Sequence, residues 1–382
     1  MNILFYIYSF YYFFRPLHFL HAADFHLDSP FRALSPEQAA ERREEQRQLL
    51  TRFRDLADET GAELILLPGD LLDGERVRPE TLQALYHTFG EMESEIMIAP
   101  GNHDPWYSGS PYERLTWPGN VHIFSRGTPA RVALPELGCV VYGGAFPAHY
   151  RMDSPLEGFR AREEDGELLR FGCFHGDLAS PHSRYGPITL QQIAASGLDY
   201  LALGHSHTAS GLQRAGETWY AWPGCPEGRG FDETGEKGVY VGRWTGGRIT
   251  LEFAPLARRR YRDERLDITG QDPEEALRGL LSVSRPEDIV RITLTGERDS
   301  EREPDLTALN AVAGAFFYRA DIRDATVLSR ELWERMEEDT LTGLFLRNMR
   351  RRLDEAPPEE HPKLERAVRF GLAALEGREE PK

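Results

Sequence analysis

From Leu17 to about Pro255, the chain alternates short apolar runs with amphipathic helical stretches. The apolar runs have the length of strands, and the stretches between them repeat apolar residues at helical spacing. This alternation is typical of an α/β domain with a mixed central sheet. The predicted strands lie within LHFLHAAD, AELILLPGD, EIMIAPGNHD, CVVYGGAF, LLRFGCFHGD and DYLALGHSH.

The first predicted helix carries clear signals at both of its ends. Ser35 stands at the N-cap, Pro36 occupies the first helical position, and Gln38 completes a capping box. Gly61 is placed to end this helix. Two more helices are predicted within RPETLQALYHTFGEM and ITLQQIAASG.

The later part of the chain predicts further units. From TWYAWPG to ITLEFAPL, the pattern predicts antiparallel strands joined by Gly-rich turns, which complete a first domain of residues 17–256. Residues 257–330 alternate three strands with two helices and predict a small α+β unit, and residues 331–382 predict two closing helices.

The first 16 residues do not fit this pattern. MNILFYIYSFYYFF is apolar and aromatic, but it is shorter than the ~20 residues that cross a membrane. It has no basic region and no small-residue cleavage site, so it is a poor signal peptide. We expect a disordered extension or a misassigned start codon, with a membrane-surface anchor as the less favoured alternative.

Composition indicates a soluble globular protein in a reducing compartment. The three cysteines (Cys139, Cys173 and Cys225) are scattered and odd in number, which argues against a disulfide framework. We therefore expect a cytoplasmic protein without a membrane partner.

The net charge of −17 opposes a polyanionic partner. Only three of the 45 basic residues are lysines, which leaves 42 arginines. GC-rich codon bias explains this excess, and so does phosphate recognition by guanidinium groups. The arginines that could form local positive surface, or else simply be solvated, are Arg184, Arg229, Arg258–Arg260 and Arg262.

Polar side chains with metal-binding chemistry follow five predicted strands. The carboxyl ends of parallel strands are where sites assemble in α/β sheets. Each group alone could be an ordinary turn or a structural histidine, but five in succession indicate a metal site. The groups are Asp24 and His26; Gly69, Asp70 and Asp73; Asn102, His103 and Asp104; His175; and His205 and His207.

The kinds of ligand indicate which metals would bind. Aspartate, histidine and asparagine together suit Mn²⁺, Fe or Zn²⁺. About seven ligands exceed the needs of one ion, so two ions bridged by a carboxylate are expected, and such pairs cleave phosphate esters. His205 and His207 project to the same side of an extended segment, and Gly204 permits a sharp turn before them.

The order D-x-H, G-D-x-x-D, G-N-H-D, H and G-H-x-H resembles the calcineurin-like metallophosphoesterase superfamily. The segments FLHAADFHLDSPF, CFHGD and PGCPEGRGFDETGEKGVY are most similar to bacterial DNA repair exonucleases of the SbcD and YhaO type. This resemblance covers residues 17–255 by motif and the remainder by arrangement only. It implies a four-layer αββα sandwich with a small C-terminal capping domain.

The resemblance also implies a role for each site residue. Two divalent ions are expected, Mn²⁺ first, with Fe or Zn²⁺ as alternatives. His103 would protonate the leaving oxygen while Asp104 orients its ring. Some nucleases of this group carry a histidine where this chain has Asp73. The implied ligands are Asp24, His26 and His207 for the first ion, Asp70 as the bridge, and Asn102, His175 and His205 for the second.

The implied activity is that of a DNA phosphodiesterase, in which a hydroxide bridging the metals attacks phosphorus. Arg184 and Arg229 are candidate substrate contacts. A small-molecule phosphatase or cyclic-nucleotide phosphodiesterase is the alternative, and a non-catalytic interaction module is a third.

The partners implied are DNA, an SMC-like ATPase subunit of the SbcC type, and a second copy of the chain. The closing helices would either cap their own core or dock on the ATPase. Their expected apolar stripes are Leu341, Leu344, Phe345 and Asn348 in one helix, ended by Arg350–Arg352, and Leu364, Val368, Leu372 and Leu375 in the other.

Overall fold

The computed structural model describes residues 16–74, 76–178, 180, 182–299 and 303–377. The expected N-terminal extension therefore lies outside the described residues, apart from Pro16. The chain forms two compact units, of which the first ends at Arg258 and the second begins at Arg259.

The first unit is built on two six-stranded sheets rather than on one central sheet. The strands of the first sheet are β1 (Leu17–His21), β2 (Leu64–Leu67), β3 (Glu95–Ile98), β4 (Val121–Ile123), β11 (Gly238–Thr245) and β12 (Arg248–Pro255). They lie in the order β12-β11-β1-β2-β3-β4. Strands β1 to β4 are parallel, and β11 pairs antiparallel with both β1 and β12.

The second sheet has the order β5-β6-β7-β8-β10-β9. Its strands are β5 (Ala130–Leu134), β6 (Cys139–Gly144), β7 (Leu169–His175), β8 (Tyr200–Gly204), β9 (Gln213–Ala215) and β10 (Thr218–Ala221). The antiparallel pairing expected from TWYAWPG onward is correct for β11 and β12. It is wrong for one side of β10, which runs parallel to β8 because a connection through β9 reverses the chain twice.

The two sheets face each other across an apolar core. Phe19 in the first sheet contacts Phe171 and Tyr200 in the second, with ring centroids 5.3 Å and 5.2 Å away. Leu20, the next residue of β1, belongs to the core on the other face of the first sheet. Burial on both faces explains why the parallel strands are continuous apolar runs rather than alternating ones.

Helices cover the outer faces and complete a four-layer αββα sandwich. Helices α1 (Pro36–Thr60) and α2 (Pro79–Gly90) bury Phe53 and Phe89 against the first sheet, and α4 (Leu190–Ala195) buries Ile193 against the second. A short helix, α3 (Pro111–Arg114), lies between β3 and β4 in the chain. None of the helices in the described residues is long and apolar enough to cross a membrane.

The ends of α1 are those predicted from the sequence. The Ser35 side chain accepts a hydrogen bond from the backbone N–H of Gln38, and the Gln38 side chain accepts one from Ser35. Gly61 ends the helix in a left-handed conformation, with φ of 62°. Local chemistry alone sets these ends, which is why the sequence predicts them well.

The second unit contains a three-stranded parallel sheet. Its strands β13 (Tyr261–Asp267), β14 (Ile289–Thr295) and β16 (Arg319–Asp324) are joined by α5 (Pro273–Ser282) and α6 (Leu306–Phe316). The predicted order of elements is correct, but because helices join strands that are all parallel, the unit is of the α/β kind rather than α+β. The remaining elements are β15 (Glu297–Arg298), β17 (Val327–Leu328), α7 (Arg330–Glu334), α8 (Leu341–Glu355) and α9 (His361–Leu375).

Helix α8 buries a different face from the one predicted. Leu341 and Leu344 are 73% and 57% exposed, whereas Leu346, Met349 and Leu353 are buried. Two apolar stripes overlap on α8, and periodicity alone does not decide between them. On α9, burial of Leu364, Val368 and Leu372 is confirmed, while Leu375 is 42% exposed. These buried side chains form one core within the second unit, and docking of an ATPase stays a prediction.

His21 links the two sheets near the end of β1. Its Nδ1 accepts a hydrogen bond from the Tyr200 hydroxyl at 2.8 Å, and its Nε2 donates to the Leu203 carbonyl at 3.1 Å. Burial lowers the pKa of His21 from 6.5 to about 3. The folded protein therefore holds this imidazole in its neutral form.

Stability should consequently fall as the pH drops below about 6.5, because His21 then binds a proton in the unfolded chain but not in the folded protein. We expect His21→Gln to reduce the slope of unfolding free energy against pH by up to about 1.4 kcal/mol per pH unit between about pH 6 and pH 4. Urea unfolding measures this slope. The exposed Gln83, which does not titrate, provides the control, since Gln83→Ala should leave the slope unchanged. Equal slopes for His21→Gln and the wild type would contradict the assignment.

Candidate metal centre

The site lies where strands of both sheets end. Asp24, Asp70 and Asn102 follow β1, β2 and β3 of the first sheet, and His175 and His205 stand at the ends of β7 and β8 of the second. The five groups predicted from the sequence thus lie at one edge of the sandwich. The centre requires the two sheets to come close together at this edge.

The backbones at Pro68, after β2, and at Gly204, at the end of β8, approach each other closely at this edge. A Cβ atom on Gly204 would lie 1.8 Å from the Pro68 carbonyl oxygen, so only glycine fits there. Close approach of two backbones, rather than the predicted sharp turn, therefore requires this glycine. The same carbonyl accepts a hydrogen bond from His175 Nδ1 at 3.0 Å.

The first ligand cluster consists of Asp24, His26 and His207, whose ligand atoms lie within 4.8 Å of one another. His207 Nδ1 donates to the Glu233 carboxylate at 2.7 Å, which leaves Nε2 as an acceptor. This Nε2 lies 3.1 Å from His26 Nε2, a separation suited to two nitrogen ligands with metal bonds of about 2.1 Å. The burial of His26 lowers its pKa to about 4, so the imidazole is neutral, as a ligand must be.

The second cluster consists of Asp24, Asp70 and His175, with Asn102 beside them. In the tautomer of His175 whose Nδ1 donates to the Pro68 carbonyl, Nε2 is an acceptor. It lies 2.8 Å from Asn102 Oδ1, which is also an acceptor. Two acceptors at this distance are satisfied by a shared cation, so these residues fit a metal ion.

Asp70 belongs to the second cluster and also lies close to the first, because its ligand atom and those of His26 and His103 are within 4.8 Å of one another. Its Oδ2 is 3.7 Å from His26 Nε2 and also 3.7 Å from His175 Nε2. Its Oδ1 accepts a hydrogen bond from the backbone N–H of His103 at 2.9 Å. One carboxylate oxygen is therefore equally near a histidine of each cluster, as a bridging ligand requires.

The buried carboxylates also favour bound cations. Burial, and then the negative charge of Asp70, raises the pKa of Asp24 well above its ordinary value. Burial acts in the same direction on Asp70, but the neighbouring histidines His175, His26 and His103 lower its pKa. Two buried carboxylates this close need positive charge between them, which divalent cations would supply.

His205 is the one predicted histidine ligand that lies outside the ligand clusters formed by the described residues. Its ring lies 5.3 Å from that of His175 and 5.1 Å from that of Tyr185. Its backbone N–H donates to the carboxylate of Asp24 at 3.1 Å. His205 is thus adjacent to the second cluster, and its role as a ligand stays a prediction.

Backbone strain is concentrated at this centre. Six non-glycine residues in the described part of the chain have positive φ, and four of them are predicted ligands. Such conformations cost about 1–3 kcal/mol each, persist only where the surrounding structure over-determines them, and cluster at functional sites. The four are Asp24, His26, Asp70 and His205, with φ of 55°, 45°, 53° and 103°.

His103 stands at the entrance of the centre with its side chain 45% exposed. Its ring lies edge-on to that of His26, with centroids 4.6 Å apart. His103 Nδ1 donates to Asp73 Oδ1 at 2.8 Å, and the Ser29 hydroxyl donates to the other oxygen of Asp73 at 2.7 Å. The hydrogen bond to Asp73 raises the pKa of His103, so the ring keeps a proton to higher pH.

Asp104 does not orient His103, so that prediction is wrong. Its buried carboxylate accepts the backbone N–H groups of Gly101 and Leu72, at 2.7 Å and 2.9 Å, and the Tyr112 hydroxyl at 2.5 Å. These bonds tie the loops after β2 and β3 together. Neighbours in sequence on a tight loop point in different directions, and the residue that reaches His103 is therefore Asp73.

Glu233 holds the His207 ring by a hydrogen bond, and no sequence motif indicated this residue. Arg229, predicted to contact substrate, donates to Glu233 at 2.7 Å and has a side chain only 19% exposed. Against the effect of burial, the bonds from His207 and Arg229 lower the pKa of Glu233, so it is anionic. A carboxylate on the far nitrogen of a ligand histidine fixes its tautomer. Glu233 lies 26 residues from His207 in the chain, which is too far for a local motif to reveal the pair.

The other predicted arginines differ in their surroundings. Arg184 is exposed, and it precedes Tyr185, whose ring lies beside His205. Three of the arginines between residues 258 and 262 lie close to acidic side chains. Glu45 lies 3.4 Å from Arg258, Asp288 lies 2.7 Å from Arg260, and Glu264 lies 2.7 Å from Arg262. Arg258, Arg260 and Arg262 therefore form ion pairs within the protein, and Arg259 donates to the Glu287 carbonyl at 3.2 Å.

Comparison with known proteins agrees with this geometry. Residues 17–209 match the family described as Calcineurin-like phosphoesterase, and the chain belongs to that family. Proteins of this family are phosphoesterases that typically depend on two metal ions. The chain is also similar to the Uncharacterized metallophosphoesterase YhaO of Bacillus subtilis (strain 168), at 34% identity over 248 residues. That match covers 62% of this chain and 60% of the relative, so the chain spans less than two thirds of the relative's length.

The position of Asp70 predicts that its loss affects both clusters together. We expect Asp70→Asn to lower the occupancy of both metal ions, because one carboxylate neutralises both. His26→Ala should empty mainly one. Metal content of the purified protein, measured by mass spectrometry, provides the readout. Asp55→Asn, on the exposed face of α1, should retain both ions. Two ions at full occupancy in Asp70→Asn would refute the bridge.

The contacts of Asp73 and Asp104 predict that replacing these two carboxylates has different effects. Asp73→Asn removes the anion that raises the pKa of His103, so the basic limb of the pH–rate profile should move to lower pH. Asp104→Asn should instead lower the melting temperature without moving that limb, because it holds backbone and Tyr112. Hydrolysis of a chromogenic phosphodiester across pH measures the first effect. If the basic limb moved in Asp104→Asn but not in Asp73→Asn, Asp104 rather than Asp73 would be the residue that acts on His103.

Proposed function

We propose that this protein is a metal-dependent phosphodiesterase whose substrate is DNA. The observation that carries the proposal is the pair of ligand clusters joined by Asp70, with His103 beside them. The exposure of His103 supports a polymeric substrate, since a phosphate that meets a 45% exposed imidazole lies at the surface, where a chain can pass. A small-molecule ligand is ordinarily enclosed in a cleft.

The chain's own residues divide the reaction between them. His103 faces the scissile phosphate and gives its Nε2 proton to the leaving oxygen, while Asp73 accepts from Nδ1 and stabilises the protonated ring. Glu233 keeps Nε2 of His207 available as a ligand. Two divalent cations, when bound, supply activation of water and neutralise charge on the phosphoryl oxygens.

The net charge of −17 limits how the protein attracts DNA. Long-range attraction of a polyanion needs positive surface, and several candidate arginines are already paired with acids. Arg184 is exposed and precedes Tyr185, whose ring lies 5.1 Å from that of His205, and we assign this arginine to the DNA backbone. Because this contact is local, affinity should depend on the bound cations and on groups immediately around the site.

Cleavage of labelled single-stranded and duplex DNA in Mn²⁺ tests this proposal, with EDTA as the metal-free control. We expect strand cleavage that EDTA abolishes, and His103→Ala should lose about 10²–10⁴-fold in turnover while keeping its metal content. His87→Ala, an exposed histidine on α2, should cleave as the wild type does. Turnover of phosphomonoesters or cyclic nucleotides without DNA cleavage would assign the protein to the small-molecule enzymes instead.

A further inference from the structure

A row of aromatic rings leads from the second ligand cluster to the surface of the first unit. The His205 ring lies 5.3 Å from that of His175 and 5.1 Å from that of Tyr185, and the planes of His205 and Tyr185 differ by 33°. The Tyr150 ring follows at 5.9 Å from Tyr185, with an angle of 37°. Tyr150 is 58% exposed, so the outer end of this row presents an aromatic ring to solvent.

Backbone and side-chain hydrogen bonds hold both tyrosines in place. The Arg151 N–H donates to the Arg184 carbonyl, and the Gly186 N–H donates to the Arg151 carbonyl, each at 2.8 Å. These bonds join the loop of Tyr150 to the loop of Tyr185. His149 Nδ1 donates to the carbonyl of Asn102, also at 2.8 Å. Tyr150 therefore follows directly after a residue that is anchored to the metal centre.

Burial separates the roles of the two tyrosines. Tyr185 is half-buried between His205 and Tyr150, so its ring helps to pack the loop. Tyr150 leaves most of its surface exposed, as does Met152 nearby at 67%. Packing of the loop does not account for an apolar surface that remains in water beside a reaction centre.

We propose that Tyr150, backed by Tyr185, is a stacking platform for the nucleobase next to the phosphodiester that is cleaved. This inference rests on the proposed function and adds the form of its substrate. A ring on a rigid loop beside a phosphodiesterase centre offers a flat apolar face to a base, whatever its sequence. In the interior of a duplex, both faces of each base are already stacked on neighbours. The platform therefore selects an unpaired strand, such as a single strand, an overhang or a frayed end.

The charge of the protein favours the same occupant. Stacking is not Coulombic, so it provides affinity that a chain of net charge −17 does not gain from phosphate contacts. Exposed Arg184 precedes Tyr185 in the same loop and offers a cation to the strand that the platform holds. A base that stacks on Tyr150 would thus hold the strand near the site independently of long-range attraction.

Cleavage kinetics on a single-stranded oligonucleotide test the platform. Tyr150→Ala should raise KM by about 5- to 150-fold, as expected for loss of one stacked base, with a smaller change in kcat. Tyr150→Phe keeps the ring and should stay within about twofold of the wild type. Tyr86, a 42% exposed tyrosine on α2, provides the matched control, and Tyr86→Ala should behave as the wild type.

An abasic nucleotide, moved along the strand one position at a time, identifies the base that stacks. At one position next to the cleaved bond, the abasic site should lower kcat/KM in the wild type but have little further effect in Tyr150→Ala, because the two changes remove the same contact. The preference of the wild type for an overhang over a blunt duplex should also decrease in Tyr150→Ala.

The outcomes separate the platform from the proposed function. Losses that add fully at every position, or a Tyr150→Ala variant with an unchanged KM, would overturn the platform while leaving a DNA phosphodiesterase. A wild type that cleaves no DNA would overturn both. A Tyr150→Phe variant as impaired as Tyr150→Ala would show that the hydroxyl, rather than the ring, makes the contact, and would also refute stacking.

Discussion

The metal centre depends on the close approach of two sheets at Pro68. Its carbonyl oxygen accepts a hydrogen bond from His175 of the second sheet, and it lies where a side chain on Gly204 would have to be. Asp70 follows Pro68 by two residues, so this contact sets how far its carboxylate lies from the histidines of the second sheet. Ligands from separate sheets can share an ion only if that distance is small, and any Cβ at Gly204 would increase it.

The centre concentrates costs that cations would offset. Buried Asp24 and Asp70 lie close to each other, and the Nε2 atoms of His26 and His207 are 3.1 Å apart. Four positive-φ residues add backbone strain at the same place. Such an arrangement is unfavourable for a protein that only has to fold, because each feature lowers stability. Bound divalent ions would place positive charge between the carboxylates and give the two ring nitrogens a shared partner.

Support for the ligand residues comes from distant parts of the chain. Glu233 fixes the tautomer of His207 and is itself held by Arg229, while Asp73 serves His103 and Asp104 ties loops together. The three carboxylates differ in function because of their surroundings rather than their chemistry. Tyr150 and Tyr185 extend this arrangement outward, so that a rigid aromatic surface adjoins the reacting groups.

Local sequence determined much of this protein. The capping box of Ser35 and Gln38, the apolar parallel strands and the order of polar groups after them can all be read from residues close together in the chain, since propensity and periodicity act over short distances. The family follows from the same short motifs. Only the tertiary structure decided four other features. These are the hydrogen bond from His103 to Asp73, the hydrogen bond from His207 to Glu233, the buried face of α8 and the need for glycine at position 204. In each of these cases a side chain or backbone meets a partner whose direction or distance depends on how separate elements pack, and no spacing in the sequence records that.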